Sequence, residues 1–318
     1  MAEKDKRMSM SEAVERYVYA GDTLHLGGFI QHEPFAAAHE IIRQNITDVT
    51  LSKNAGLVVS DQMIGAGLVK HLICSFTWNP LPATSHCFVR AVTKRIPRPI
   101  ELEEYPLFVL NLAYFAGAMG LPYVAAKSAM GSGFDTDLNP SEARNRLRFC
   151  SSPFTGERVC LVPPIKHDVG IIQVQRCDPI GNAQAWGLMG ESRYGIQSCE
   201  RIIICAEEIV DSEIIMRDPN RTLVPSCRVS AVVEEPWGGH PAPVAGHYDL
   251  DWHYYAFYER QTRTPELFEA FMNKWVYGVR DRKDYLKLLG AERVEALRPE
   301  PFESGAVPYG RFPSHCEV

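Results

Sequence analysis

The apolar positions of the N-terminal third of the chain follow two periods. Residues 10–20 carry apolar side chains at helical spacing, with Ser11 placed to cap the first turn and Gly21 placed to end the helix. Shorter apolar runs predict strands at residues 23–29, 49–51 and 71–76. Between them, the pattern predicts helices at residues 34–44 and 61–67 and a turn at residues 55–56. Strands that alternate with helices predict an α/β fold with an open, mainly parallel sheet and flanking helices.

The alternation continues through the middle of the chain and then changes. Residues 107–119 predict a helix that Gly120 and Pro122 stop. Further strands are predicted at residues 123–126, 159–162, 169–174 and 201–205, and sheet formation ends near residue 233. The remainder holds a Gly-, Pro- and His-rich loop, an aromatic segment, a helical stretch at 264–296 and an extended tail at 299–318. We predict one domain over residues 1–318, with residues 236–318 as a loop- and helix-rich C-terminal extension.

Composition restricts the class of partner. The chain of 318 residues is 46% hydrophobic and 23% charged, with a formal net charge of −6. It has no basic tail and no lysine block, so we expect it to bind neither nucleic acid nor an anionic membrane. The first ten residues lack the apolar core of a secretory signal, which predicts a cytoplasmic protein. Nine cysteines without a CxxC pair indicate reduced thiols rather than a zinc site or a disulfide framework.

Two glycine loops are the strongest candidates for chemistry. Gly27 and Gly28 end a predicted strand, where paired glycines let backbone N–H groups approach a ligand oxygen without hindrance from a side chain. The segment Gly131-Ser132-Gly133 follows a second predicted strand in the same way. Ligands of α/β proteins bind at the carboxyl ends of strands, so the first loop is predicted to be an oxyanion hole rather than a simple turn.

These segments, in this order, resemble the A-type chains of the family I CoA-transferases. The matching pieces extend over nearly the whole chain, and the most specific lie at residues 21–29, 120–133, 205–209 and 231–241. One glycine motif alone is weak evidence, whereas several separated matches in one order are specific. The resemblance implies an open α/β fold and an active site at the interface between an A-type and a B-type chain.

The resemblance also implies the chemistry and the partner. In such transferases a glutamate of the B-type chain attacks the acyl-CoA thioester, and CoA passes through an enzyme-bound anhydride and a glutamyl-CoA thioester to the acceptor acid. Gly27, Gly28 and Phe29 match the glycine loop of the family and are predicted to stabilise the oxyanions. CoA enters as a substrate, no metal or other cofactor is implied, and the expected assembly is (AB)2 or a larger hetero-oligomer.

Two further segments are predicted to bind substrate. Ser75, Thr77, Trp78 and Asn79 follow a predicted strand and offer polar groups to a carboxylic acid, and the resemblance places this segment near the substrate. The bulk of Trp78 favours an acid larger or more apolar than a small dicarboxylate.

The second segment precedes and includes the second glycine loop. Lys127 is a candidate to pair with an acid substrate, the alternative being a surface lysine. Gly131 and Gly133 frame Ser132, which either donates its hydroxyl to the substrate or holds its own loop.

Several acidic residues are candidates for catalytic groups. The resemblance extends to a group of hydrolases in which a carboxylate at this general place matters, and this makes Glu104 a candidate. In the alternative interpretation, Glu103 and Glu104 are N-terminal acids of the following helix, where they complement the helix dipole. Glu191 and the pair Glu207-Glu208 do not fall where the nucleophile of the family lies, and we interpret them as helix-start or surface residues.

Two histidines and two other functions complete the alternatives. His240 and His247 flank a Gly/Pro loop without a third metal ligand at suitable spacing, which favours structural roles. The chain can also belong to an enzyme of the same fold that hydrolyses, decarboxylates or cleaves a CoA thioester, or be a non-catalytic ligand-sensing module. The two glycine loops favour an enzyme, because a sensor needs no oxyanion stabilisation.

Overall fold

The computed structural model describes residues 4–79, 84–135 and 146–299. The α-helices of these residues are α1 (Met10–Tyr17), α2 (Phe35–Arg43), α3 (Val58–Gly65), α4 (His86–Lys94), α5 (Leu107–Met119), α6 (Ser192–Gly195), α7 (Ser212–Met216), α8 (Trp252–Gln261), α9 (Pro265–Met272), α10 (Arg282–Leu289) and α11 (Ala291–Ala296). The strands are β1 (Thr23–Leu26), β2 (Val49–Ser52), β3 (Ala55–Gly56), β4 (Val69–Cys74), β5 (Phe76–Thr77), β6 (Glu101–Glu104), β7 (Val124–Ala126), β8 (Arg148–Ser151), β9 (Arg158–Val162), β10 (His167–Cys177), β11 (Ala183–Gln184), β12 (Cys199–Ile209), β13 (Thr222–Val224) and β14 (Ala231–Glu234).

The main sheet is largely parallel. Its parallel strands lie in the order β14-β12-β10-β1-β2-β4-β6, with Leu24 of β1 paired to Val169 of β10 and to Leu51 of β2. The short strands β11 and β13 add an antiparallel edge beside the end of β10. Two small sheets stand apart: β3 pairs with β5, and β7-β9-β8 is antiparallel. The predicted open α/β fold is confirmed.

Helices cover both faces of the sheet, as buried parallel strands require. On one face, side chains from α1, α2 and α3 pack with α8 and α9 against alternate residues of the central strands. On the other, Ile172, Ile202 and Ile204 pack with Ile196 and Cys199, while α5 packs over Ile73. Within the described residues, no helix combines the length and apolarity needed to cross a membrane.

Local signals explain the helix ends. Helix α1 begins after Ser9, whose hydroxyl accepts from the Glu12 N–H while the Glu12 carboxylate accepts from the Ser9 N–H, a reciprocal capping box. The prediction that Ser11 caps this helix is therefore wrong by two residues. Helix α5 has the predicted bounds, and Gly120 ends it at φ +66°.

Some predicted elements differ from the structure. Residues 55–56 form the short strand β3 rather than a turn. The helical stretch predicted at 264–296 is divided into α9, a π-helical turn, α10 and α11, with Gly290 at φ +94° between the last two. Helix α4 and strand β8 were not predicted. Of the tail predicted at residues 299–318, all but Pro299 lies outside the described residues.

Candidate functional site

The predicted site segments 27–29 and 75–79 begin where parallel strands end, and so does the unpredicted Lys53. Gly27 follows β1, Lys53 follows β2 and Ser75 follows β4, so all three lie at the carboxyl edge of the sheet. In open parallel sheets this edge is where ligands bind.

The first glycine loop needs its glycines for steric reasons. Gly28 has φ +97°, and a Cβ there would lie 2.6 Å from the backbone nitrogen of Glu33. A Cβ on Gly27 would lie 2.8 Å from Cγ1 of Ile172. Downstream, Ile30 and His32 also have positive φ values, 68° and 64°. A β-branched residue in the left-handed region is strained, and such strain is concentrated at functional loops.

Two amides of the loop donate within the chain. The Gly27 N–H donates to the Ile171 carbonyl at 2.8 Å, and the Gly28 N–H donates to Oγ of the buried Ser192 at 2.7 Å. The oxyanion role of these residues stays a prediction, and these bonds show which amides already have acceptors.

A fully buried cation lies under the loop. Nζ of Lys53 lies 3.0 Å from Oε1 of Glu33 and 4.0 Å from Oε1 of Glu191, and all three side chains are almost completely inaccessible. The same nitrogen donates to the Gly28 carbonyl and lies 3.3 Å from the carbonyl oxygen of Leu26. We call Lys53, Glu33 and Glu191 the charge cluster.

Burial controls the ionisation of the charge cluster. It raises the pKa of Glu191 to about 7, although the charge of Lys53 opposes the shift. Burial likewise raises the pKa of Glu33, and again Lys53 acts in the opposite direction. Glu191 is the N-cap residue of α6, and its carboxylate makes no cap hydrogen bond among the described residues. The helix-start position predicted for Glu191 is confirmed, but the residue is buried and not on the surface.

The polar side chains of segment 75–79 already have contacts within the chain. Ser75 Oγ donates to Oδ1 of Asn54 at 3.2 Å, and Thr77 Oγ1 lies 3.7 Å from Sγ of Cys74. The buried Asn79 donates to the Thr84 carbonyl. By contrast, Trp78 is 49% exposed.

Aromatic packing joins this segment to the glycine loop. The ring of Phe76 meets the ring of Phe29 edge-on, with the centroids 6.4 Å apart. The structure therefore places segments 27–29 and 75–79 side by side, as the shared strand edge predicts.

The second glycine loop is held by its own residues. Ser132 Oγ donates to the Ala129 carbonyl at 2.6 Å and accepts from the Phe134 N–H, as in the second of the two roles open to this serine. Gly131 donates to Asp135, and Gly133 begins a short 3₁₀ helix. Lys127 is 71% exposed and pairs with Glu157 at 2.9 Å. Substrate binding by these residues stays a prediction.

The paired glutamates of β6 have opposite environments. Glu103 is buried, accepts from the Tyr105 hydroxyl and lies 3.3 Å from Nη1 of Arg146, whereas Glu104 is exposed at the end of the strand. The first turn of α5 holds no acidic residue, so the interpretation of either glutamate as a first-turn acid is wrong. The polypeptide is still extended at these positions.

Further along the sheet, buried polar groups have structural partners. Glu207 accepts from Gln173, Tyr248 and the Trp237 N–H, and burial raises its pKa to about 7, while Glu208 is exposed. The surface interpretation is therefore right for Glu208 and wrong for Glu207. His240 lies between Asp251 and Tyr285, which is a structural role.

Lys53 and Glu33 were not predicted from the sequence. For Lys53 the sequence contains a usable signal, because this lysine directly follows an apolar strand and precedes Asn54-Ala55-Gly56. Lysine is rarely buried without a partner, so a lysine in such a position indicates a buried ion pair. Glu33 gave no such signal, since it lies in a polar loop segment beside His32 and Pro34.

A parallel sheet with a glycine loop and buried charges at its carboxyl edge is typical of α/β proteins that bind a ligand at the strand ends. The chain belongs to the coenzyme A transferase family, whose profile matches residues 7–235. It is similar to the A-type chain of 3-oxoadipate CoA-transferase from Pseudomonas knackmussii, with 34% identity over 278 residues, 87% of this chain and 96% of the relative. It is equally similar to the A-type chain of glutaconate CoA-transferase from Acidaminococcus fermentans, with 34% identity over 312 residues, 93% and 95% of the two chains.

The structural comparison agrees. The crystal structure of glutaconate coenzyme A-transferase from Acidaminococcus fermentans matches with a TM-score of 0.85 and 32% identity, covering 94% of this chain and 97% of that chain. The predicted family, the A-type identity of the chain and the transferase function are confirmed. One chain of a cholesterol ring-cleaving hydrolase from Mycobacterium tuberculosis is 25% identical over 284 residues, 86% of this chain and 94% of the relative, so hydrolases occur among the relatives.

Proposed function

We propose that this A-type chain acts with a B-type partner that supplies the nucleophilic glutamate, in an (AB)2 or larger assembly. The relatives that share a third of its residues are the A-type chains of their enzymes, which supports a two-subunit enzyme. The complex exchanges CoA between an acyl-CoA and a carboxylic acid. The cytoplasm stays the predicted location, on composition alone.

The reaction divides one difficult exchange into two pairs of acyl transfers, four attacks in all. The glutamate carboxylate attacks the thioester carbonyl and expels the CoA thiolate, which leaves a mixed anhydride. The thiolate then attacks the glutamyl carbonyl, releases the first carboxylate and forms a glutamyl-CoA thioester. The acceptor acid reverses these steps and leaves as its CoA thioester. Each attack passes through an oxyanion, so a donor preorganised at the reacting carbonyl lowers every barrier.

The glycine loop at the carboxyl edge of the sheet is the observation that carries this proposal. Its backbone is constrained to left-handed geometry at Gly28 and is fixed from two sides by Ile171 and Ser192. A loop held in this way presents its remaining backbone dipoles in a fixed direction. Phe29, whose ring meets that of Phe76 edge-on, supplies apolar surface at the loop, and the exposed Trp78, two positions after Phe76, offers more for the acyl group.

Trapping of the covalent intermediate tests the function. The co-purified complex is incubated with a panel of acyl-CoA thioesters that includes glutaconyl-CoA, 3-oxoadipyl-CoA and larger apolar acyl groups. Mass spectrometry after borohydride or hydroxylamine treatment is expected to show the modified glutamate on the partner chain. Free CoA that accumulates with no adduct would contradict transfer and favour the hydrolytic branch.

A substitution in the loop tests its role. Gly28→Ala introduces a Cβ that lies 2.6 Å from the Glu33 nitrogen at a φ that alanine disfavours, so the loop must shift. We expect kcat to fall about 100-fold or more, as when an oxyanion donor is lost. Gly120→Ala is the matched control, because Gly120 has φ +66° with open space around its Cβ and lies at the end of α5. A kcat within about threefold of the unmodified complex for Gly28→Ala would remove the loop from catalysis.

A further inference from the structure

We propose that Lys53 is a positioning residue that sets the direction in which the glycine loop presents its amides, and that the amide it directs to the substrate is the N–H of Phe29. The inference rests on the proposed transferase function. It starts from one observation: Nζ of Lys53 meets three successive carbonyl oxygens, those of Leu26 at 3.3 Å, of Gly27 at 3.5 Å and of Gly28, which is the nearest.

Peptide geometry determines the direction of the amide that follows each of these carbonyls. In a trans peptide the carbonyl and the following N–H point in opposite directions. Each carbonyl that faces Lys53 therefore turns the next amide away from it. The amides after Leu26 and Gly27 are observed on the Ile171 carbonyl and on Ser192 Oγ, in agreement with this rule.

The third amide of the series is that of Phe29. It follows the Gly28 carbonyl, so the Lys53 contact with that carbonyl sets its direction. The backbone of Phe29 is joined to Gln31 by an isolated bridge. Residues two apart cannot form the straight hydrogen bonds of a ladder, so this bridge offers the Phe29 N–H no well-aligned acceptor. Gly27 and Gly28 each have a better placed acceptor, which assigns the oxyanion contact to Phe29.

The charge of Lys53 adds a second effect. A cation at a carbonyl oxygen polarises that peptide group and makes its N–H a stronger donor, as in a hydrogen-bond chain within a low-dielectric interior. The ammonium is completely buried, and Glu33 at 3.0 Å compensates its charge. The group that acts on the substrate is the amide, so Lys53 positions and polarises without touching the reactants.

Stability alone does not account for this arrangement. Replacing a buried ion pair by apolar residues of similar volume is often neutral or stabilising. The Glu191 carboxylate, 4.0 Å from the ammonium, makes no hydrogen bond of normal geometry within the described residues. A cluster that serves folding only would satisfy its groups more fully.

The test uses the assembled two-subunit complex. The double variant Lys53→Met/Glu33→Gln removes the ammonium together with the carboxylate that lies 3.0 Å from it, and the buried Glu191, whose pKa Lys53 lowers, then holds its proton more firmly. We expect kcat for CoA transfer to fall at least about 30-fold, with KM for the acyl-CoA changed by less than about threefold, because the amide acts on the transition state. Lys287→Met is the control, since Lys287 is exposed and pairs with Asp284 at the surface.

Three measurements keep the outcome decisive. Adduct formation on the partner chain is timed in the same samples: a normal adduct in the unmodified complex and a slow one in the variant supports the inference, whereas equal rates overturn it and leave the transferase function intact. No adduct in the unmodified complex counts against the function instead.

Amide exchange of residues 26–34 is expected to accelerate in the variant. If the double variant does not assemble, Lys53→Gln, which keeps a donor for the carbonyls, replaces it; a kcat within about threefold of normal for Lys53→Gln means that charge is not needed.

Discussion

Glu191 titrates near neutrality because its carboxyl group is enclosed in protein. Burial raises its pKa from 4.5 to about 7, and the nearby ammonium of Lys53 only moderates the shift. The folded chain therefore holds this proton in a pH range where the unfolded chain has released it. Stability must then fall as pH rises from about 4.5 to 7 and level off above the folded-state pKa.

Glu191→Gln isolates this contribution. The amide has nearly the same shape and does not titrate, so we expect the variant to lose up to about 3 kcal/mol of pH dependence between pH 5 and 8 and to be the more stable protein at pH 8. Urea unfolding at several pH values measures the difference. Glu207 is present in both proteins and lies outside the charge cluster, so its own titration cancels, whereas Glu33 is coupled to Glu191 and its response is part of the measured difference. Glu208→Gln, at an exposed position of β12, is expected to leave the pH profile unchanged.

Single residues show which features of the site can be predicted from the sequence and which cannot. The position of Gly27 and Gly28 at the carboxyl edge of the sheet could be predicted, because the pair directly follows an apolar strand of the predicted parallel sheet. The role of Lys53 could not, because its partners Glu33 and Glu191 are separated from it by 20 and 138 positions and meet it only in the folded chain. For Glu103 and Glu104 the sequence showed two acids before a helix, and only the register of β6 decides which one is buried.

At the scale of elements, a long apolar run with a clear end signal was sufficient, and a short polar segment was not. Helix α5 is apolar at nearly every position, Asn111 being the exception, and ends at Gly120, so its bounds could be predicted from the sequence. Strand β8 lies in a polar, proline-punctuated segment and is defined by its pairing with β9, which no local pattern reveals. The sequence predicts one helical stretch after residue 264, whereas the structure divides it at the π-helical turn and at Gly290. The amino-acid composition stays typical of a helix across both breaks, so it does not reveal them.

Asp251 joins three elements of the C-terminal extension. Its carboxylate caps α8 by accepting from the Tyr254 N–H, lies 3.0 Å from His240 Nε2 and pairs with Arg293 of α11. Burial favours the neutral acid, but the hydrogen bonds from His240 and Arg293 outweigh it and hold the pKa of Asp251 well below its usual value.

Asp251→Ala is expected to destabilise the chain by about 3 kcal/mol or more, because it leaves Arg293 and the end of α8 without their shared acceptor. Urea unfolding measures the loss. Glu295→Ala provides the comparison, since its pair with Arg298 is exposed and is expected to contribute less than about 1 kcal/mol. Equal effects of the two substitutions would mean that the buried acid does not hold these elements together.

At the scale of the whole molecule, the family profile ends at residue 235 but the apolar core does not. Aromatic side chains of α8 and α9 belong to the same buried cluster as α1, α2 and α3. Tyr258 donates to the buried Asp61 of α3, and Arg43 of α2 donates to the Val276 carbonyl. Residues 236–299 therefore complete a face of the sheet that the preceding part leaves apolar.

A chain that stops at Glu235 tests this dependence. We expect it to aggregate or to show no cooperative melting, because it would expose the apolar surface that α8 and α9 cover. The full chain is expected to melt in one transition whose calorimetric and van't Hoff enthalpies agree, as for a single cooperative unit. A chain that stops at Pro299 retains every described contact and is the matched control, with an unchanged melting temperature. Cooperative melting of the shorter chain would instead make residues 236–318 a separate domain, and the predicted single domain would be wrong.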